Sequence, residues 1–268
     1  MKEVFARFIG STVSLLSLIT IFSLASCAPS PAVHTAERRV WRYTSFTRLD
    51  IRMLSLPTGC VSIPPQASCD DFINSMEPVS MTGTGSGMVV HHRNGLTYVL
   101  TAAHVCQDRS QRSIQISTVL GDAELSIEQR ISLISIDYYG NRHTTRVLSV
   151  DNENDICLID SPGTWGYPVP VSSNEPEIGE IVYNVAAPLG IFEPRMVPIF
   201  DGRFVGADPT GRRFYSIPTG PGSSGSAILN NRGEIVGMIH SAFTQFENLA
   251  ISASLADIRS MLRSVEDQ

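Results

Sequence analysis

Apolar and polar positions alternate in short runs along most of this chain, and glycine, proline and asparagine separate the runs. From Phe46 to Leu56, Leu49, Ile51, Met53 and Leu54 stand among polar neighbours, a pattern that predicts a half-buried strand. The glycine-rich stretch Thr82–Ser86 leads into the apolar Met88-Val89-Val90. Asn94-Gly95 is a strong hairpin signal, because a two-residue turn of matching twist needs residues that tolerate positive φ. Its return strand is Leu96–Thr101, and further strands are predicted over Ser113–Val119, Ile131–Tyr138, His143–Val150 and Ile156–Ile159. Ser161–Glu180 then carries four prolines and three glycines, the composition of a crossover. Beyond it a second set appears at Ile181–Ala186, Arg195–Val205, Arg213–Ile217, Ser226–Leu229 and Glu234–Ile239. Many short strands with regular turn signals predict an all-β barrel architecture.

The two ends break this pattern. Ser254-Leu255-Ala256-Asp257 reads as a helix cap, and Leu255, Ile258, Met261 and Leu262 form a stripe at helical spacing, so a helix over 254–265 is expected on the second barrel. At the amino terminus Lys2 and Arg7 precede an apolar run from Phe8 to Ala25, which reads as a secretory signal over residues 1–26. That run ends in Leu24-Ala25-Ser26-Cys27, which resembles the lipobox of bacterial lipoproteins, with Cys27 as the lipidated residue. Ala28 after it resembles lipoproteins sorted to the outer membrane, facing the periplasm, in cells that have one. Residues 27–40, rich in proline, alanine and serine, are then a flexible tether. The alternative is an uncleaved membrane helix. Either reading leaves the remainder tethered to a membrane in the cell envelope. The formal charge of −6 gives no reason to expect nucleic acid as a partner.

Setting Cys27 aside leaves Cys60, Cys69, Cys106 and Cys157, an even number in a chain read as exported. Cys60 and Cys69 share one short segment, which makes Cys60–Cys69 the natural loop-closing pair and leaves Cys106–Cys157 as the other. Buried free thiols are the alternative for the second pair. No CxxC or His/Cys cluster suggests a metal.

Three segments carry chemistry: Thr101-Ala102-Ala103-His104, Asp155-Ile156-Cys157-Leu158-Ile159 and Gly222-Ser223-Ser224-Gly225-Ser226. Together, in the order His, Asp, Ser, they resemble the active-site motifs of trypsin-like serine peptidases; other serine-hydrolase folds use other orders. Gly85-Ser86-Gly87-Met88-Val89-Val90, Gly140–Leu158, Ile178–Gly190, Pro221–Gly237 and Ser252–Leu262 extend the resemblance to the HtrA/Deg-type peptidases over roughly Gly83–Leu262. It implies two six-stranded antiparallel β-barrels, about 41–163 and 178–253, within a protease domain over 41–268 that ends in the helix. The family often adds a PDZ domain, and this sequence reads as the catalytic part without one.

The resemblance assigns Ser224 as nucleophile, His104 as general base and Asp155 as its orienting carboxylate, with Asp151 and Asp160 as competitors for the last role. It places the oxyanion donors at the backbone N–H groups of Gly222 and Ser224. No metal or organic cofactor is expected, and the partners are protein or peptide substrates. Pro218, Thr219 and the stretch Ile239, His240, Ser241 and Ala242 are expected to wall the specificity pocket. His240 stands one position later than the pocket histidine of glutamate-specific relatives, which on a regular strand turns it to the other face. No acidic residue marks a pocket base for Lys or Arg. The reading is a serine endopeptidase of extracytoplasmic proteins; the runner-up is a protease-fold binding or scaffolding module without catalysis. His34, His91, His92 and His143 are read as structural or exposed.

Overall fold

The computed structural model describes residues 44–63, 76–106, 112–118, 121–243 and 248–266. The signal, Cys27, the tether and Cys69 lie outside the described residues. Fourteen strands run from β1 (Phe46–Ile63), β2 (Val79–Arg93) and β3 (Leu96–Ala102) through β4 (Arg112–Thr118), β5 (Gly121–Asp137), β6 (Arg142–Thr144), β7 (Arg146–Asp151) and β8 (Ile156–Pro162). The second half holds β9 (Ile181–Val185), β10 (Ile199–Ala207), β11 (Arg213–Tyr215), β12 (Ala227–Leu229), β13 (Ile235–Ala242) and β14 (Ala250–Ala253). A one-turn helix, α1 (Ala103–Cys106), follows β3, and α2 (Leu255–Glu266) closes the chain. Among the described residues no helix is long and apolar enough to cross a membrane.

Strands β9 to β14 close into a six-stranded barrel in the order β10-β11-β14-β13-β12-β9. The first half is drawn out differently: it is an eight-stranded sheet, ordered β4-β5-β1-β2-β3-β8-β7 with β6 on β5. The cause is the length of β1 and β5, which remain paired from Thr47–Asp137 out to Ile63–Asp122 and carry β4 on the extension. The sequence suggests a strand end at Pro57-Thr58-Gly59, but the ladder shifts register between Pro57 and Gly59 and continues. Pro57 stays opposite Ile127, and Thr58 is the extra residue of a bulge that lets the ladder continue past the proline, which has no N–H to give it. Cys60 therefore sits on a strand, where it is disulfide-bonded.

Asn94 (φ 52°) and Gly95 (φ 74°) make the β2–β3 turn that their residue types predict. Inside the first half Phe46, Leu49, Met88, Val99, Leu100, Leu158 and Ile159 are buried, and in the closed barrel Val182, Tyr215, Ile217, Ile228 and Val236 are. Each such large side chain contributes about 1.5–3 kcal/mol of apolar transfer. Tyr215 keeps its hydroxyl satisfied by donating to Val236 O at 3.1 Å.

The terminal helix begins where Ser254 Oγ accepts from Asp257 N at 3.1 Å and donates to the Asp257 carboxylate. The helix, with Leu255, Ile258 and Met261 buried, packs against both β8 and β13. Rather than resting on the second barrel alone, α2 spans the seam between the two halves. Arg259 adds a bond to Ser172 O in the crossover segment.

Candidate active site

His104 enters the seam because β3 ends at Ala102 and the chain turns at once into α1, a helix too short to orient a side chain unaided. Asp155 supplies the orientation. It lies in the turn between β7 and β8 with φ 53°, a left-handed conformation that aspartate tolerates better than most residues. From there its backbone O accepts from Ala103 N at 3.1 Å and its Oδ1 from His104 N at 2.9 Å. Its Oδ2 lies 2.7 Å from His104 Nδ1. The carboxylate can only accept, so Nδ1 carries the hydrogen and Nε2 is left as the proton acceptor. Burial pushes the Asp155 carboxyl up, but the bonds from the His104 ring and backbone outweigh it and hold the group below the usual carboxylate range.

The competing aspartates are engaged elsewhere. Asp151 accepts from Glu153 N, Asn154 N and Asn154 Nδ2 and so builds the turn that presents Asp155. Asp160 is buried across the strand and takes Arg146 at 2.5 Å. The disulfide Cys106–Cys157, with Cα atoms 6.6 Å apart, ties α1 to β8 two residues beyond His104 and Asp155. Of the other histidines, His143 bonds Asp137 and stacks on Trp165, and His92 meets Trp165 O. His91 lies beside Tyr98, and His34 is outside the described residues.

The second part of the site is the turn 220–226. Ser223 N donates to Gly220 O, Ser226 N to Ser223 O and Gly225 N to Ile239 O, so these three N–H groups are consumed within the turn or by β13. Among the described residues the N–H groups of Gly222 and Ser224 have no such partner. They remain free to meet an acceptor from outside. On its other side the turn is pinned to β2: Ser86 N donates to Ser224 O at 2.9 Å and Ser86 Oγ to Gly222 O at 2.8 Å. Ser86 Oγ also accepts from Ala187 N at 3.0 Å, linking β2, the 220–226 turn and the start of the 187–196 loop. The sequence offered Ser86 only as part of a Gly-Ser-Gly run, with no sign of this role.

Gly225 explains how Ser224 comes near His104. At φ 86° it packs so closely that a side-chain Cβ would collide with Ser86 O and Thr101 Oγ1 and lie 2.9 Å from Ala102 N. Thr101 and Ala102 lead directly into His104, so the serine turn and the histidine converge on the same end of β3. Ser224 Oγ and His104 are not hydrogen-bonded to one another among the described residues, and such bonds commonly tighten only when substrate is bound.

The residues expected around a specificity pocket part company. Ile239 is buried among the core side chains of the closed barrel, Thr219 is half-buried and Ser241 is exposed. His240 is the extra residue of a β-bulge, since Ile239 pairs with Ser252 and Ser241 already with Ile251. The bulge re-aims its ring toward Asp155, with Nδ1 3.9 Å from Asp155 Oδ2 and 3.1 Å from Ser241 Oγ. Burial holds the His240 imidazole below its ordinary range; the Asp155 charge opposes this and His104 reinforces it. Among the described residues no group of three His, Cys, Asp or Glu side chains is placed to hold a metal ion.

Comparison with known proteins agrees with this fold. Residues 85–238 match the family model of the trypsin-like peptidase domain. The chain is 25% identical over 172 residues to the serine endoprotease DegS of Escherichia coli (strain K12), covering 62% of this chain and 41% of that protein. It is 21% identical over 212 residues to a serine protease HtrA-like of Staphylococcus aureus (strain USA300), covering 77% of this chain and 26% of the other. The chain thus spans less than half the length of these curated relatives. The crystal structure of the serine endoprotease from Yersinia pestis shares the fold, with a TM-score of 0.57 at 16% identity over 88% of this chain and 67% of that one.

Proposed function

This chain belongs to the trypsin-like peptidase domain family, and from that premise we propose that it is a serine endopeptidase in which Ser224, His104 and Asp155 form the catalytic triad. The observation that carries the reading is the double grip of Asp155 on the backbone and ring of His104, opposite a serine turn with two uncommitted N–H groups. Ser224 Oγ attacks the scissile carbonyl while His104 Nε2 takes its proton. Gly222 N and Ser224 N receive the oxygen as it becomes negative. His104, now an imidazolium held by Asp155, gives the proton to the leaving amine, and water then releases the acyl group by the reverse sequence.

The chain is further proposed to be exported, anchored through a lipid on Cys27, and to act on proteins outside the cytoplasm. This rests on the amino-terminal sequence, and fatty-acid labelling lost in Cys27→Ser is its test. A binding module without catalysis is favoured by one observation, the missing bond between Ser224 and His104. A fluorophosphonate probe separates the two. Labelling that vanishes in Ser224→Ala supports the peptidase, and failure to label the folded protein refutes it.

A further inference from the structure

Beside the candidate triad lies a groove of about 670 Å³ on the face of β1, β2 and β5, whose lining includes Asp50, Arg52, Thr82, Thr84, Ser132 and Arg142. Thr84 belongs both to this groove and to the surroundings of the nucleophile turn. A Cβ placed on Gly222 would lie 3.2 Å from its Oγ1, and one on Gly190 would lie 3.3 Å from its Cγ2. The groove therefore starts where the serine turn ends.

Strand register organises it in two rows. Thr84, Asp50 and Ile134 lie opposite one another in the inner row, and Thr82, Arg52 and Ser132 in the outer one. Ser86, which holds Gly222, is the next residue inward on the same face of β2. Successive rows are about 6–7 Å apart, the distance between alternate side chains of an extended peptide. The turn that carries Ser224 is held between β13, through Gly225 N to Ile239 O, and β2, through Ser86 N to Ser224 O. A peptide laid across Ser224 with its acyl side toward β13 would carry the segment after the scissile bond over these rows.

Charge sets what the groove prefers. Asp50 is already taken by Arg48 at 2.9 Å and has Arg142 at 3.5 Å. Arg52 makes one bond, from Nε to Ser80 Oγ at 3.4 Å. Arg52 and Arg142 thus face the groove with Asp50 as its one carboxylate, and Arg48 already neutralises Asp50, so the face is positive although the chain as a whole carries −6. We propose that this groove is the subsite for an acidic side chain of the substrate, Asp or Glu, about two to four residues beyond the cleaved bond. The inference rests on the peptidase reading and adds a specificity to it.

The test is a cleavage profile on a peptide library, read by mass spectrometry, for the wild-type protein, Arg52→Gln/Arg142→Gln and Arg52→Glu/Arg142→Glu. Wild type is expected to enrich Asp and Glu over Lys at those positions by about five- to tenfold, as two exposed charge pairs allow. The preference should fall to background in the glutamine variant, reverse in the glutamate variant and weaken with added salt. Melting temperature reports whether each variant is folded. A flat or basic wild-type profile, or an acidic preference that survives in the folded glutamine variant, overturns the proposal. Fluorophosphonate labelling of Ser224 without acidic enrichment refutes the groove alone; absence of both labelling and cleavage removes the peptidase reading and the groove with it.

Discussion

Replacing both Cys106 and Cys157 by alanine removes the disulfide that ties the histidine segment to the aspartate segment. The disulfide joins positions 51 residues apart, so its loss returns to the unfolded chain an entropy of about 2.1 + 1.5R ln 51, roughly 14 cal/mol/K, or about 4 kcal/mol at 25 °C. Measured losses for native disulfides run about 2–5 kcal/mol. Both cysteines are buried, so alanine is the fitting replacement, since a serine hydroxyl without a partner would add a desolvation cost of its own. For a domain of this size each kcal/mol moves the midpoint by about 2–4 °C, and the expected fall is about 5–15 °C by calorimetry. Activity should fall as well, mainly in kcat, because α1 is only one turn long and the crosslink adds to the Asp155 bonds in fixing His104. A melting point within about 2 °C of wild type would refute the entropic argument. An unchanged kcat in the same variant would show that the Asp155 bonds align the ring without the crosslink.

Asp155→Asn should leave the fold intact and lower kcat by about 10⁴, because an amide cannot hold His104 in the required tautomer; unchanged turnover sinks the assignment. Gly225→Ala should abolish labelling by a fluorophosphonate, since its Cβ has no room between Ser86 and Thr101; full labelling would show that the turn can yield. Burial pushes Asp137 up, but its bonds from His143, Asn141 and Tyr139 more than offset this, so its folded pKa, like that of Asp155, lies below the ordinary value. Such a group stabilises the fold above its unfolded pKa of about 4 and loses that contribution as pH falls further. Melting temperature should therefore drop below about pH 4, and Asp137→Asn should flatten that limb while costing about 1–3 kcal/mol at neutral pH. An acid limb identical to wild type in this variant would contradict the assignment. His240→Lys puts a permanent positive charge beside Asp155 and His104, and the acid limb of kcat/KM should move down by about one pH unit; a limb that stays in place would mean the side chain does not face the triad.

The strand alternation, the hairpin at Asn94-Gly95 and the capped helix were legible because each depends on neighbours in sequence: apolar positions two apart, turn residues that accept positive φ, a serine three residues before an aspartate. What escaped depends on partners far along the chain. The first part of β5 carries Glu124, Glu128 and Arg130 with few apolar residues, and it is a strand because the long β1 lies beside it. Ala250–Ala253 is too short and small to announce itself, yet all four residues are buried by pairing between β11 and β13. His143–Val150 read as one strand and is two, since Thr145 leaves the ladder with its hydroxyl donated to Leu133 O.

His240 shows the same limit inside the site. Alternation along a regular β13 makes its direction a matter of counting from Gly237, and the counting fails at a single irregular pair, the shift between Ile239 and Ser241. That shift is set by β14, which no periodicity revealed, and through it a strand histidine comes within 3.9 Å of the carboxylate that orients His104. Candidate residues for the proposed triad could be chosen from local motifs because each motif carries its own backbone requirement. The groups that position those residues, Ser86 across the seam and His240 from the bulge, are distant in sequence, and only the pairing of strands brings them in.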